Sequence, residues 1–133
     1  VSKEKKQESW MMKNLSIELY LSADLDYASN IDPPTFPDGL DVEIFSRKAL
    51  LLAHQEASDP FEREHVTPWI RDSGHCFVVT ETNHPDLSNL RWTVDEPEDL
   101  MVIRAVVDYF EGRSDFSWRD VYELHNKSPH LFA

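Results

Sequence analysis

The 133-residue sequence is poor in cysteine, in glycine and in long apolar runs. Its single cysteine, Cys76, excludes an internal disulfide and fits the reducing conditions of the cytoplasm. Three scattered glycines are too few for a G-x-G-x-x-G or G-x-x-x-x-G-K-[ST] phosphate loop. No apolar run approaches the ~18 residues that span a bilayer, and the charged start, Val1–Trp10, lacks the apolar core of a signal peptide. We therefore expect a cytoplasmic protein without a membrane partner.

Positive charge is also scarce, because 13 Lys and Arg stand against 25 Asp and Glu and leave a net charge of −12. A surface this acidic repels nucleic-acid backbones and anionic lipids, so neither is an expected partner. The hydrophobic content of 41% is typical of a folded protein rather than a disordered one. We expect a single domain over residues 1–133. The missing initial methionine indicates a fragment or a processed piece.

Hydrophobic periodicity and turn residues predict an α/β fold in which short strands alternate with helices. The Pro-rich stretch Asn30–Asp38 is expected to be a loop. The expected strands are Asp26–Ser29, Asp41–Phe45, His75–Thr82 and Leu90–Val94, the last two forming a hairpin or lying side by side. The expected helices are Gln7–Ser22, Ser46–Ala57 with Leu50, Leu51 and Ala53 on its buried side, Pro60–Asp72 with a break at Pro68, Glu96–Glu111 ending at Gly112, and Ser117–Asn126.

The stretch Leu90–Leu100 combines a short strand with an immediate helix start, and Asp95 lies at the junction. Pro97 suits the first helical turn, and Glu98 and Asp99 place negative charge at the positive end of the helix dipole. Asp95 could cap this helix. It could also present a carboxylate at the carboxyl end of a strand, where open α/β sheets bind ligands. Spacing alone favours the cap, because strand–Asp–helix junctions are common.

A second cluster, in Pro37–Glu43, places three carboxylates around Gly39. Gly39 permits a positive φ or a close approach of the backbone to a ligand. Asp41 and Glu43 are expected on one face of a strand, because side chains alternate with a period of two. Such carboxylates, with Asp38, can accept hydrogen bonds from sugar hydroxyls. The alternative that the pattern alone favours is a Pro-Asp-Gly turn followed by a solvated strand face.

A third cluster, Arg63-Glu64-His65, places a cation, an anion and an imidazole within one turn. Arg63 could bind a substrate carboxylate with assistance from His65. By pattern alone, an internal salt bridge on an exposed helix is the better interpretation. The histidines and Cys76 show no spacing typical of a zinc site.

Four segments taken in order resemble the spore-coat polysaccharide biosynthesis cytidylyltransferases, relatives of the CMP-acylneuraminate and CMP-Kdo synthetases. The segments are Tyr27–Asn30, Pro37–Phe45, Asp59–Pro68 and Leu90–Leu100, and the resemblance covers about Asp24 to Leu131. It implies the C-terminal half of a Rossmann-like nucleotide-diphospho-sugar transferase fold, with a small mixed sheet packed by helices. The nucleotide-binding segment that opens such enzymes, and an earlier Gly-Asp-x-Pro strand, have no counterpart in this sequence.

This resemblance implies a Mg²⁺-dependent transfer of CMP from CTP to an acidic sugar with release of pyrophosphate. Asp95 matches an aspartate that holds magnesium in such enzymes. The residues implied on the sugar side are Asp38, Gly39, Asp41, Glu43, Arg63 and His65. A homodimer is expected, because a small sheet leaves an unpaired edge. The chain alone is expected to be inactive, because it lacks the nucleotide-binding segment. The alternatives are a non-catalytic assembly or sugar-binding module derived from that fold, and a nucleotidyltransferase that uses another base.

Overall fold

The structure is a computed structural model that describes Leu21 and residues 24–133. The chain divides into two compact units. Among the described residues, the sheet unit extends to Leu90, and the helical unit is Arg91–Ala133. The helix expected over Gln7–Ser22 lies outside the described residues, apart from Leu21. The single domain over residues 1–133 stays a prediction.

The sheet unit contains a mixed three-stranded sheet with the order β2-β1-β3. Its strands are β1 (Tyr27–Ser29), β2 (Glu43–Phe45) and β3 (Val78–Thr80). β2 runs antiparallel to β1, with Glu43 opposite Ser29, and β3 runs parallel to β1, with Thr80 opposite Ser29. The central strand β1 is buried along its whole length. The predicted α/β fold with a small mixed sheet is confirmed.

Local capping residues define the helices of the sheet unit. These helices are α1 (Arg47–Glu56), α2 (Pro60–His65) and α3 (Pro68–Asp72). The Ser46 hydroxyl accepts the Ala49 N–H at 3.0 Å, and the Asp59 carboxylate accepts the Phe61 N–H at 2.8 Å. Side-chain oxygens at these positions satisfy backbone donors that have no partner inside the helix. The predicted break at Pro68 is confirmed, because a new helix begins there.

The core of the sheet unit forms where the alanine face of α1 packs against Tyr27, Trp69 and Ile70. Its small residues recur every four positions as Ala49, Ala53 and Ala57. The prediction that Leu50 and Leu51 are buried is wrong, since their exposed fractions are 37% and 48%. A helix turns by about 100° per residue, so side chains one and two positions after an alanine point away from the alanine face.

The helical unit has a separate core. Its elements are α4 (Pro97–Tyr109), α5 (Trp118–Lys127) and a 3-10 helix (Pro129–Phe132). Val106 and Phe110 of α4 pack with Leu124 of α5. The Gly112 N–H donates to the Val107 carbonyl at 3.0 Å, and the φ of Gly112 is 69°. Gly112 therefore helps to end α4 as predicted.

Two strand predictions differ from the structure. His75–Thr82 is a strand only at Val78–Thr80, and Leu90–Val94 forms no strand. The predicted pairing between these two segments is therefore wrong. In the sheet β3 pairs with β1, and the Leu90 carbonyl instead accepts the Asp38 N–H at 2.8 Å. Within the described part of the chain, no helix has the length and apolar character needed to cross a membrane.

Candidate functional site

The segment Pro37–Glu43, called the acidic loop below, begins with a tight turn. The Leu40 N–H donates to the Pro37 carbonyl at 3.2 Å, and Gly39 lies within the turn with a φ of 108°. A side chain at that φ would be strained, which explains the glycine. The predicted Pro-Asp-Gly turn and the predicted positive φ are both present. The role of Gly39 in binding a substrate stays a prediction.

One buried side chain, Asn30, fixes the backbone of the acidic loop at the end of β1. Its Nδ2 donates to the Leu40 carbonyl at 2.9 Å, and its Oδ1 accepts the Val42 N–H at 2.8 Å. Its own N–H donates to the Val42 carbonyl at 3.2 Å. The amide supplies a donor and an acceptor together, so Asn30 extends the pairing of β1 beyond the strand. The sequence pattern assigned Asn30 only to a loop.

The acidic loop brings Asp38, Asp41 and Glu43 within electrostatic reach of one another. Partial burial, followed by repulsion from Asp38 and Glu43, raises the pKa of the Asp41 carboxyl. Glu43 opens β2, whereas Asp41 precedes the strand. All three residues are exposed, so the loop presents a negative surface of hydrogen-bond acceptors to solvent. Such a surface is suited to hydroxyl groups or to cations.

Two residues that the sequence pattern missed, Tyr27 and Arg71, lie behind this surface. The buried Tyr27 hydroxyl donates to Glu43 Oε2 at 3.0 Å, and the Arg71 side chain also hydrogen-bonds to Tyr27. Burial, with a further contribution from Glu43, raises the pKa of the Tyr27 hydroxyl. Arg71 Nε lies 3.5 Å from Asp72 and 3.9 Å from Asp32. The position of Glu43 is therefore set by a side chain from the core.

Arg63 and His65 have other contacts than the sequence suggested. Arg63 Nη1 donates to the carbonyls of His54 at 3.2 Å and Ala57 at 3.0 Å, where α1 ends. The His65 ring lies 4.4 Å from the Phe61 ring, measured between centroids. Arg63 borders a shallow cavity of about 110 Å³ between α1 and α2. The Arg63 guanidinium therefore caps the C-terminal end of α1. These contacts support neither the predicted salt bridge within α2 nor a role of Arg63 in sugar binding.

Asp95 lies at the start of α4 but does not cap it. The N-cap residue is Glu96, and the Asp99 carboxylate accepts the N–H groups of Asp95 and Glu96, each at 2.9 Å. The prediction of Asp95 as the cap is therefore wrong. Its Oδ2 instead accepts a hydrogen bond from Arg91 Nη2 at 2.9 Å. Sequence spacing could have identified Asp99, because an acidic residue three positions after the N-cap is typical of a capping box.

Arg91 joins the two carboxylates into the cluster Arg91–Asp95–Asp99. It binds both oxygens of Asp99, through Nη1 to Oδ1 and through Nη2 to Oδ2. The hydrogen bond from Arg91, followed by the two backbone N–H groups, lowers the pKa of the Asp99 carboxyl. The exposed fractions of the side chains are 68% for Asp95 and 15% for Asp99. Asp95 therefore faces solvent while Asp99 is held beneath it.

This donor set fits one part of a magnesium site. Mg²⁺ takes oxygen ligands and is usually held by one or two carboxylates together with substrate phosphates and water. Asp95 and Asp99 converge on a cation, the guanidinium of Arg91, and Asp95 is accessible. No group of three or more His, Cys, Asp or Glu suited to a metal occurs among the residues that the structure describes. The other ligands of such an ion would be phosphate oxygens and water.

Comparisons with known proteins add an independent view of the fold. No model of a known protein family matches the chain. Over 118 residues the chain is 26% identical to the uncharacterized protein MJ1063 of Methanocaldococcus jannaschii. This alignment covers 86% of this chain and 47% of that protein. A cytidylyltransferase structure from Leptospira borgpetersenii serovar Hardjo-bovis matches with a TM-score of 0.83 and 28% identity, over 92% of this chain and 52% of that one.

The chain thus spans about half the length of each of these two proteins. The match to the cytidylyltransferase structure includes nearly all of the chain, and both the backbone similarity and the 28% sequence identity support it. The chain has a cytidylyltransferase-like fold.

Proposed function

We propose that this chain takes part in nucleotidyl transfer, in which CMP passes from CTP to an acidic sugar and pyrophosphate is released. The observation that carries the proposal is the match to a cytidylyltransferase, at a TM-score of 0.83 over 92% of the chain. The base, the sugar and its use in surface polysaccharide are the finer parts of this proposal, and they rest on the resemblance of the sequence segments.

The acidic loop would bind the sugar. Its exposed carboxylates at Asp38, Asp41 and Glu43 can accept hydrogen bonds from hydroxyl groups. Asn30 and Tyr27 support this role, because they fix the loop backbone and the Glu43 side chain before any ligand arrives. Arranging polar groups in advance lowers the entropic cost of binding.

Asp95 would hold Mg²⁺ together with the phosphates of CTP. Its support is the exposed carboxylate at the start of α4, with oxygen chemistry that suits a hard cation. When bound, such an ion neutralises phosphate charge. The residues of this chain bind and orient the ion, and the remaining ligands come from the nucleotide and water.

The proposal is tested on the chain supplemented with the nucleotide-binding half of a cytidylyltransferase, by calorimetric titration with CTP and Mg²⁺, compared with ATP, GTP and UTP, and by release of pyrophosphate with a panel of acidic sugars. In this combination we expect CTP to bind more tightly than the other nucleotides, and binding to weaken when the chain carries Asp95→Asn. Glu98→Gln is the matched control, since it removes one exposed negative charge from the same helix start.

The results separate the alternatives. Preference for another nucleotide would support a nucleotidyltransferase with a different base specificity. Binding of sugars without any binding of nucleotides would support a non-catalytic module. Equal effects of Asp95→Asn and Glu98→Gln would contradict the role of Asp95.

A homodimer is also part of the proposal. Its support is the small sheet, whose outer strands β2 and β3 each pair with β1 alone in the described sheet, together with the exposed apolar side chains on α1 and α4. Strand edges and apolar surfaces of this kind favour association with another chain.

A further inference from the structure

The Asp99 carboxylate accepts hydrogen bonds from three groups. Arg91 binds both of its oxygens, and the backbone N–H groups of Asp95 and Glu96 donate to Oδ2. Its side chain is only 15% exposed. A paired arginine and carboxylate in this two-point geometry has a fixed direction as well as a strong attraction. Asp99 is therefore a rigid point at the start of α4.

Asp95 depends on that rigid point for both its backbone and its side chain. Its N–H donates to Asp99, and its carboxylate accepts from Arg91, which Asp99 itself holds. By contrast, the Asp95 side chain is 68% exposed and meets Arg91 through one oxygen, Oδ2. An exposed aspartate without such contacts would sample several rotamers.

We propose that Arg91 and Asp99 are positioning residues, which fix the Asp95 carboxylate in the direction needed to receive a divalent cation. This inference rests on the function proposed above, in which Asp95 is a ligand of the ion. Two carboxylates against one guanidinium leave a net negative charge, so the cluster still attracts a cation. Residues that hydrogen-bond to a metal-binding carboxylate commonly contribute 10–100-fold to metal affinity.

The experiment uses Mn²⁺ alone as the probe, because manganese shares the preference of magnesium for carboxylate oxygens and broadens nearby NMR signals. The full chain, labelled with ¹⁵N, is titrated, and the amide signals of residues 94–99 are followed. In the unsubstituted chain we expect local broadening around Asp95, and Asp95→Asn should abolish it.

Arg91→Lys is the informative variant, because it keeps the positive charge and removes the planar fork that spans both carboxylates. We expect the Mn²⁺ concentration at half-maximal broadening to rise about tenfold. Arg104→Lys, an exposed position on α4, is the matched control and should leave that concentration unchanged.

Asp99→Asn is a second variant, which keeps an oxygen for the backbone N–H groups but loses the charged pair with Arg91. It should also weaken the local binding of Mn²⁺, while amide signals outside residues 91–99 keep their positions. This pattern separates a change in orientation from a general loss of folding.

The two proposals fail in different ways. If the unsubstituted chain shows no local broadening at Asp95, either with Mn²⁺ alone or with Mn²⁺ and pyrophosphate, its role as an ion ligand is refuted and the positioning inference falls with it. If the broadening occurs but Arg91→Lys and Asp99→Asn bind Mn²⁺ as tightly as Arg104→Lys, the positioning inference is overturned while the proposed function stands.

Discussion

At the scale of single residues, the acidic loop depends on one buried amide. Asn30 is 6% exposed and makes two side-chain hydrogen bonds to the backbone of residues 40 and 42. In Asn30→Ala both backbone groups lose their partners. Because an unsatisfied buried polar group costs about 1–3 kcal/mol, we expect the free energy of unfolding to fall by about 2–3 kcal/mol in urea titrations.

Asn89→Ala, at an exposed position of the same unit, is the control and should change the free energy of unfolding by less than about 0.5 kcal/mol. An equal effect of the two substitutions would show that Asn30 does not hold the loop.

Asp41 should make stability depend on pH. Partial burial and repulsion from Asp38 and Glu43 raise its pKa in the folded state, so the folded chain binds the proton more tightly than the unfolded chain. Stability therefore decreases as pH rises from about 3.9, the value for an unperturbed aspartate, through the higher folded value. We expect Asp41→Asn to raise the melting temperature at pH 7 and to have little effect below about pH 4.

Glu56→Gln, which removes one exposed negative charge elsewhere in the sheet unit, is the comparison. A gain in melting temperature that is the same for both variants, or that persists at low pH, would argue against a raised pKa of the Asp41 carboxyl as its cause.

Residue roles were predicted well where they depend on local backbone and poorly where they depend on distant partners. The positive φ of Gly39 follows from the Pro-Asp-Gly sequence itself. The contact of Tyr27 with Glu43 joins residues 16 positions apart, and no local pattern indicates it. The prediction of Asp95 as the cap missed by one residue, because the N-cap is Glu96.

At the scale of elements, the start of α5 depends on a reciprocal cap. The Ser117 hydroxyl accepts the Asp120 N–H at 3.2 Å, and the Asp120 carboxylate accepts the Ser117 N–H at 2.8 Å. Ser117 is also buried, at 5% exposed. We expect Ser117→Ala to lower the free energy of unfolding by about 1 kcal/mol and to speed hydrogen exchange at the first amides of α5.

Ser114→Ala, at an exposed position outside the helix, is the matched control. Exchange at the start of α5 that is as slow in Ser117→Ala as in Ser114→Ala would show that the cap contributes little.

Helices were predicted more accurately than strands for a physical reason. The starts of α1, α4 and α5 are set by side chains within four residues, so the sequence contains most of the necessary information. A strand also needs a partner from elsewhere in the chain. Leu90–Val94 has β-branched residues, but only Arg91 takes part in a β-bridge, and the Leu90 carbonyl bonds to the acidic loop.

At the scale of the whole molecule, formation of a homodimer is opposed by electrostatic repulsion between the two negatively charged chains. Each chain carries a net charge of −12, so two copies repel one another over about 10 Å at 0.1 M salt. We expect light scattering to give about twice the 15.5 kDa of one chain, with dissociation becoming weaker as salt is added. A monomer at every salt concentration would contradict the proposed dimer.

The neighbours of β1 in the sheet come from very different distances along the chain, and this difference predicts an order of folding. Tyr27 reaches Glu43 across 16 residues, whereas Asp26 reaches Phe77 across 51. Closing the longer loop costs about 1 kcal/mol more in chain entropy. We therefore expect the antiparallel pair of β1 and β2 to form first, and the parallel strand β3 to complete the sheet last.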